Sequence, residues 1–245
     1  MHHKKVIGII MTYNCANLVE ETYKRLPKNI FDKIIIVDDG SKDNIREITE
    51  KLKIPFFTHQ HLGYGGNLKY GLQKSIEMGG DYMVEIHGDG QFGPEYITPG
   101  VEKIKQGYDF IMGSRFTDIR QPLKDKMSLA RYLANICLSF FDRLILGVPL
   151  TEFHTGFRIY SRKLVTTLNF RNTSDDYLFS FEIIAQARFC NLKISEIPVR
   201  ADYSKVHTSI SIRKAIVYSF QTFYVLFKYV LARLGFKIKL FRCIL

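Results

Sequence analysis

The chain has 245 residues, 46% of them hydrophobic, and a formal charge of +11, so it can bury one sizeable core and needs an acidic partner or surface. No zinc-finger or RNA-recognition signature accompanies the charge. The late basic residues are interleaved with Phe, Leu and Tyr, which disfavours nucleic acid and favours a membrane surface. Cys15, Cys137, Cys190 and Cys243 show no CxxC spacing, so neither a disulfide framework nor a zinc site is expected, and a reducing cytosol fits best. The residues before the first strand lack the long apolar core of a secretory signal, and Cys243 stands third from the end rather than fourth, so no lipid anchor is expected.

In chain order, Val6 to Met11, Lys33 to Val37, Pro55 to Thr58, Tyr82 to Ile86 and Phe110 to Met112 read as strands. The stretches after the first three carry helical spacing, as in Ile45, Ile48, Leu52 and Leu68, Leu72, Ile76. This alternation predicts an α/β fold, a Rossmann-like, mostly parallel sheet with helices on both faces. Ligands gather beyond the carboxyl ends of such strands. Thr12-Tyr13-Asn14, Asp38-Asp39-Gly40-Ser41 and His87-Gly88-Asp89-Gly90-Gln91 all fall there.

From 127 to 147 a long helix is predicted, with Arg131, Asn135, Ser139 and Asp142 on one stripe and Leu133, Ile136, Phe140 and Leu144 on another. Packing on the sheet and facing a membrane are both compatible with it. The last helix, about Ile212 to Leu234, gathers Ile216, Phe220, Phe223, Phe227, Leu231 and Leu234 on one face. Lys228 and Arg233 interrupt the apolar run, which favours lying in the interface over spanning. Residues 1–210 are therefore expected to form the catalytic domain, and 211–245 an amphipathic basic membrane-associating segment, including the tail with Lys237, Lys239, Leu240, Phe241 and Arg242.

The carboxylates Asp38 and Asp39 follow a buried strand and can accept hydrogen bonds from a nucleobase or ribose, although Asp-Gly-Ser also makes ordinary turns. Gly63-Tyr64-Gly65-Gly66-Asn67 precedes a helix, and its glycines let amides approach a phosphate or ribose; the Gly-Lys-Ser/Thr ending of a P-loop is absent. His87, Asp89 and Gln91 alternate in extended chain and so share a side, where they could hold Mg²⁺ or Mn²⁺ against a diphosphate. One Asp is few ligands for a hard cation, which also takes water and substrate oxygens.

The ordered set Thr12-Tyr13-Asn14, Val37-Asp38-Asp39-Gly40-Ser41, Asp89-Gly90-Gln91, Gly113-Ser114-Arg115 and Thr155-Gly156-Phe157-Arg158 resembles the family 2 glycosyltransferases of GT-A fold, particularly the dolichol-phosphate mannose synthase-like group, over about residues 5 to 205. The resemblance implies a hexosyltransferase of cell-envelope glycan synthesis that transfers sugar, with inversion, from a nucleoside-diphosphate sugar to a membrane-held acceptor, a polyprenyl phosphate. The enzyme would sit peripherally on the cytosolic face of a membrane. It implies a nucleotide-sugar site of Thr12, Tyr13, Asn14, Asp38, Asp39, Gly65, Gly66, Asn67 and Gly88, and a Mg²⁺ or Mn²⁺ site at Asp89 and Gln91. Family members usually carry Asp-x-Asp where this chain has His87-Gly88-Asp89, so His87 is either a metal ligand or a hydrogen-bonding neighbour. Asp89 and Arg115 are the expected catalytic residues, and Arg115, Arg131, Arg158 and Lys205 the expected acceptor-phosphate contacts. A phosphate acceptor is already largely dianionic and needs little base help. A glycan hydroxyl acceptor would need a base, for which Asp176 is a candidate beside Asp175 and Glu182. A non-catalytic subunit that binds nucleotide sugar is the further alternative.

Overall fold

The computed structural model describes residues 3–201 and 212–244. Along the chain run β1 (Val6–Thr12), α1 (Ala16–Arg25), β2 (Lys33–Asp38), α2 (Ile45–Leu52), β3 (Phe56–Thr58), α3 (Tyr64–Glu77), β4 (Tyr82–His87), α4 (Ile97–Lys105), β5 (Phe110–Ser114) and α5 (Gln121–Lys124). After these come α6 (Leu129–Leu146), β6 (Arg158–Ser161), α7 (Arg162–Thr167), α8 (Phe179–Phe189), β7 (Ile194–Pro198) and α9 (Ile212–Arg233). The strands form one sheet in the order β3-β2-β1-β4-β6-β5-β7. Its pairings are parallel except those of β6, which runs antiparallel between β4 and β5. Strand order reverses beside β1, and that is where an open α/β sheet leaves its ligand crevice.

The sheet is apolar on both faces, as a helix-covered sheet must be. Ile7, Ile9 and Met11 of β1 point into one core with Leu68 and Leu72 of α3 and Phe179 and Phe181 of α8. Val6 and Ile10 point into the other, with Val19 of α1 and Val101 and Ile104 of α4. β6 and β7 are two strands that the hydrophobic pattern does not disclose. Arg158-Ile159-Tyr160-Ser161 is short and half polar, yet every residue of it is buried, because both of its edges are paired.

The two amphipathic helices behave differently from ordinary surface helices. In α6 the polar stripe faces inward, with Ser139 2% and Asp142 1% exposed, while Leu133, Phe140 and Leu144 lie 56%, 57% and 69% exposed. α9 is apolar on opposite sides: Val225, Leu226, Tyr229 and Ala232 pack into the core while Ile216, Phe220, Phe223 and Phe227 face outward.

The chain beyond α9 corrects two expectations. Leu240 and Phe241 are not on the surface but in the main core, where Phe241 packs against Phe189 and Tyr229. The tail turns back after Gly235 (φ +97°), Cys243 bridges to Leu168, and the Ile244 amide donates to the Thr167 carbonyl at 2.7 Å. Cys190 and Cys243, 53 residues apart, form a disulfide. The bond depends on the tail's return to α8, which residue spacing cannot reveal, and it removes the cysteine argument for a reducing compartment.

Candidate active site

The donor half of the rim is held by its own carboxylates. Asp38, 2% exposed, accepts from the Thr12 hydroxyl at 3.0 Å, the Ser41 amide at 2.9 Å, the Ser41 hydroxyl at 2.5 Å and the Thr58 hydroxyl at 3.1 Å. Asp39, 3% exposed, accepts from the Leu62 and Gly63 amides at 2.8 and 3.0 Å and lies 2.8 Å from Nδ1 of His61. Asn14 adopts φ +51°, so that its amide donates to Ser41 Oγ and its side-chain oxygen accepts from the Lys42 amide, at 2.8 and 2.9 Å. Three loops are thereby tied together, which brings the sequence-predicted Thr12, Asn14, Asp38 and Asp39 side by side. Their carboxylates, however, are spent on protein donors.

The glycine run also differs from its expected use. A Cβ on Gly65 would meet Phe179 Cβ at 2.6 Å and the Asp176 and Ser174 carbonyls at 2.8 and 2.9 Å. The Gly66 amide donates to the Asp175 carbonyl at 3.0 Å. These glycines admit the 174–176 loop rather than a phosphate. Asn67 is buried; its amide nitrogen donates to the Val37 carbonyl at 3.1 Å and its oxygen lies 3.0 Å from His59 Nε2.

At the end of β4 the Gly88 amide donates to the Met11 carbonyl at 2.9 Å, and the Thr22 hydroxyl donates to the Gly88 carbonyl at 3.1 Å. Gly90 turns the chain with φ +67°, and the Gln91 amide donates to Asp89 Oδ1 at 3.1 Å. His87 Nε2 points back to Glu85 Oε1, 3.0 Å away. The hydrogen-bonding alternative for His87 is the one this geometry favours. Burial disfavours a charge on its ring, but the hydrogen bond and charge of Glu85 outweigh this and hold its pKa above the ordinary value; an imidazole protonated on Nε2 has no lone pair there for a metal. Glu85 is fully buried and also accepts from the Tyr160 hydroxyl at 2.5 Å and from the Tyr64 hydroxyl. Burial and then the Glu85 charge push both phenols well up, so they remain donors. Beside Gly88, burial pushes the Cys15 thiol up to about 11, which leaves it a poor nucleophile.

Among the described residues no group of three His, Cys, Asp or Glu converges as a metal cage. A hard divalent cation bound together with a diphosphate takes one or two protein carboxylates, the rest being substrate and water oxygens. Asp89, half-buried on the rim beside the donor loops, fits that lean donor set.

The basic residues expected at an acceptor phosphate differ in their surroundings. Arg115 is paired with the fully buried Glu152, its amide donating at 2.7 Å and its Nε at 2.9 and 3.1 Å. Arg131 is half-buried on α6. Arg158 is 0% exposed, with Nη1 donating to the Ser180 carbonyl at 2.8 Å, so the expected phosphate contact is corrected to an internal one. β6 carries this side chain under α8. Lys205 lies outside the described residues. Across the cleft, Asp175 pairs with Lys69 at 2.7 Å. Asp176 is exposed and takes the Tyr177 amide at 2.8 Å, and Tyr177 stacks on Tyr64 with centroids 5.4 Å apart. Glu182 is buried, which pushes its pKa up, and accepts from the Ser174 amide at 2.6 Å.

Sequence reasoning overlooked Glu85, Glu152 and His61. Glu85 left a legible signal: a charge inside an apolar strand, two residues before His87 and therefore on its side. Glu152 and His61 sit in loops and left none.

A family model described as glycosyl transferase family 2 matches residues 9–168. The chain is 30% identical over 225 residues to a UDP-N-acetylglucosamine–dolichyl-phosphate N-acetylglucosaminyltransferase of Methanococcus voltae, covering 84% of this chain and 88% of that one. It is 26% identical over 205 residues to an undecaprenyl-phosphate mannosyltransferase of Micrococcus luteus, covering 80% and 82%. Among solved structures, glucosyl-3-phosphoglycerate synthase from Mycobacterium tuberculosis, in complex with uridine diphosphate, aligns with a TM-score of 0.70 at 18% identity, covering 96% of this chain and 82% of that one.

Proposed function

The chain belongs to glycosyl transferase family 2, and from that premise we propose that it transfers a sugar from a nucleoside-diphosphate sugar to a polyprenyl phosphate held in a membrane. Glycosyl transfer follows from the family. The acceptor class is supported by relatives named for dolichyl and undecaprenyl phosphates and by the observation that carries the reading here, the inverted burial of α6. Its Leu133, Phe140 and Leu144, together with Phe220 and Phe227 of α9, make an outward apolar surface suited to the interfacial plane of a bilayer. The enzyme would then sit peripherally on the cytosolic face, its basic residues attracted to anionic headgroups.

In this reading the acceptor phosphate oxygen attacks the anomeric carbon as the bond to the nucleoside diphosphate breaks, with inversion. Thr12, Tyr13, Asn14 and the loops tied by Asp38 and Asp39 hold the nucleotide. Asp89, with Gln91 beside it, would hold Mg²⁺ or Mn²⁺, which when bound neutralises charge developing on the leaving diphosphate. Arg131 and the Arg115–Glu152 pair orient the acceptor phosphate. Because that phosphate is already anionic, Asp176 is not required as a base.

The test is nucleoside diphosphate release by the full chain with a panel of nucleotide sugars and Mn²⁺ or Mg²⁺, with and without polyprenyl phosphate in liposomes. Release that depends on the lipid, is lost in Asp89→Ala and survives in Asp176→Asn is expected. Release that is lipid-independent, or abolished by Asp176→Asn with a glycan acceptor, would transfer the assignment to hydroxyl glycosylation. Nucleotide sugar binding without turnover would make the chain a non-catalytic subunit.

A further inference from the structure

His154 stands in the loop that enters β6, and both of its ring nitrogens meet helices. The side chain is 7% exposed, and its Nδ1 lies 3.1 Å from the Tyr218 hydroxyl of α9. Its Nε2 lies 2.9 Å from Oδ2 of Asp142 on α6, a close contact that is not aligned as a hydrogen bond. The ring stacks over Phe181 of α8, with centroids 5.9 Å apart and 25° between the planes. One imidazole thus touches α6 and α9, the two helices that carry the outward apolar surface, and packs on the body of the protein behind them.

The backbone on either side of His154 runs to the rim. Two residues before it, Glu152 accepts from the Arg115 amide and Nε. Two residues after it, Gly156 leaves no room for a side chain, since a Cβ there would lie 2.8 Å from His87 Cε1 and 3.1 Å from Phe92. Segment 152–156 therefore joins Arg115 and the end of β4 to α6 and α9. Apolar contacts alone hold a helix without fixing its exact place, because the hydrophobic effect is non-directional. A buried polar contact has a preferred direction and is lost when a helix shifts. Asp142, 1% exposed, is a poor source of stability, since burying a carboxylate costs about as much as its partner returns. Its contact with His154 fixes an arrangement instead.

We propose that His154 is a positioning residue that registers the catalytic rim to the membrane-lying helices α6 and α9, acting through Glu152 on Arg115 and through Gly156 on the end of β4. With its side chain buried and both ring nitrogens facing protein partners, it orients rather than reacts. A phosphate held in a bilayer cannot follow a displaced rim, so the rim must keep a fixed height above the helices that lie in that bilayer. The inference rests on the membrane-held acceptor proposed above and names what sets the approach to it.

The test gives the full chain a nucleotide sugar that it turns over, vesicles of phosphatidylcholine and phosphatidylglycerol, and one of two acceptors. One is long-chain polyprenyl phosphate embedded in the vesicles, the other a short isoprenyl phosphate free in solution, which can follow a displaced rim. The ratio of the two transfer rates does not depend on how much protein is folded, so a merely structural defect leaves it unchanged. His154→Phe keeps a ring over Phe181 and removes both polar contacts, so the embedded-to-soluble ratio should fall at least about fivefold, the factor that a net hydrogen bond represents. Tyr218→Phe removes one hydroxyl from a half-buried position and keeps the ring, so it folds even where His154→Phe does not, and the ratio should fall in it too. Vesicle flotation should match wild type in both variants, because the apolar surface is intact. An unchanged ratio in a folded His154→Phe or in Tyr218→Phe overturns the assignment, as does a fall that tracks lost flotation. If wild type does not transfer to the embedded acceptor, the acceptor reading falls instead.

Discussion

Replacing Glu85 is the sharpest test of how the rim is supported. The carboxylate is fully buried and is approached by the Tyr160 hydroxyl at 2.5 Å, by His87 Nε2 at 3.0 Å and by the Tyr64 hydroxyl. In Glu85→Leu these buried donors lose their acceptor, each at about 1–3 kcal/mol, and a buried ionic partner is removed, for which about 3–5 kcal/mol is the usual loss. The contributions overlap, so about 4 kcal/mol in total is expected. Glu85→Gln keeps one acceptor oxygen and the side-chain shape and should lose roughly half as much. Urea denaturation followed by far-UV circular dichroism measures both, and sugar transfer should fall in both because His87 and Tyr64 line the rim. A Leu variant within about 1 kcal/mol of wild type, or a Gln variant less stable than the Leu variant, would refute the view that Glu85 organises this cluster.

Other outcomes follow from the packing around the site. Gly65→Ala forces a methyl against two carbonyls of the 174–176 loop and Phe179, so it should cost about 1–3 kcal/mol in denaturant midpoint and lower turnover, whereas a harmless substitution would show the loop to be compliant. Cys243→Ser opens a bridge between residues 53 apart and should destabilise the oxidised protein by about 4 kcal/mol; equal midpoints with and without a dithiol reductant would count against the bridge. Burial, opposed in part by His154, raises the pKa of Asp142. The folded state therefore holds this proton more tightly than the unfolded one, and its contribution is present below the ordinary carboxylate value and is lost as pH rises through the raised value. Asp142→Asn should remove that loss, so the stability gap between variant and wild type should grow in the variant's favour from pH 4 to 7 (about three units above the ordinary carboxylate range); a gap independent of pH excludes Asp142 as the source.

What could be read in the sequence was whatever depends on local period. The five early strands and the helices after the first three were visible, and so were the turns after β1, β2 and β4, because each apolar run ends at a polar cluster on the rim; α4, between β4 and β5, was not. β6 remained hidden because Arg158 and Ser161 are buried by paired edges and an overlying helix, which are non-local facts. The roles of the rim residues were legible as types but not as directions. Nothing local says that Asp38 and Asp39 turn toward Ser41 and Gly63, or that Gly65 is small to admit Asp176. The stripes of α6 were correctly separated in sequence, but which one faces inward depends on what surrounds the protein.

The closed hydrogen bonding of Asp38 and Asp39 also bears on the thermodynamics of the first binding event. The loops after β1, β2 and β3 are fastened to one another by their own side chains, so the entropy of ordering them is lost when the chain folds rather than when a nucleotide arrives. Nucleotide binding at such a preorganised pocket should proceed with a small change in heat capacity, set by the surface the nucleotide itself covers rather than by loop folding.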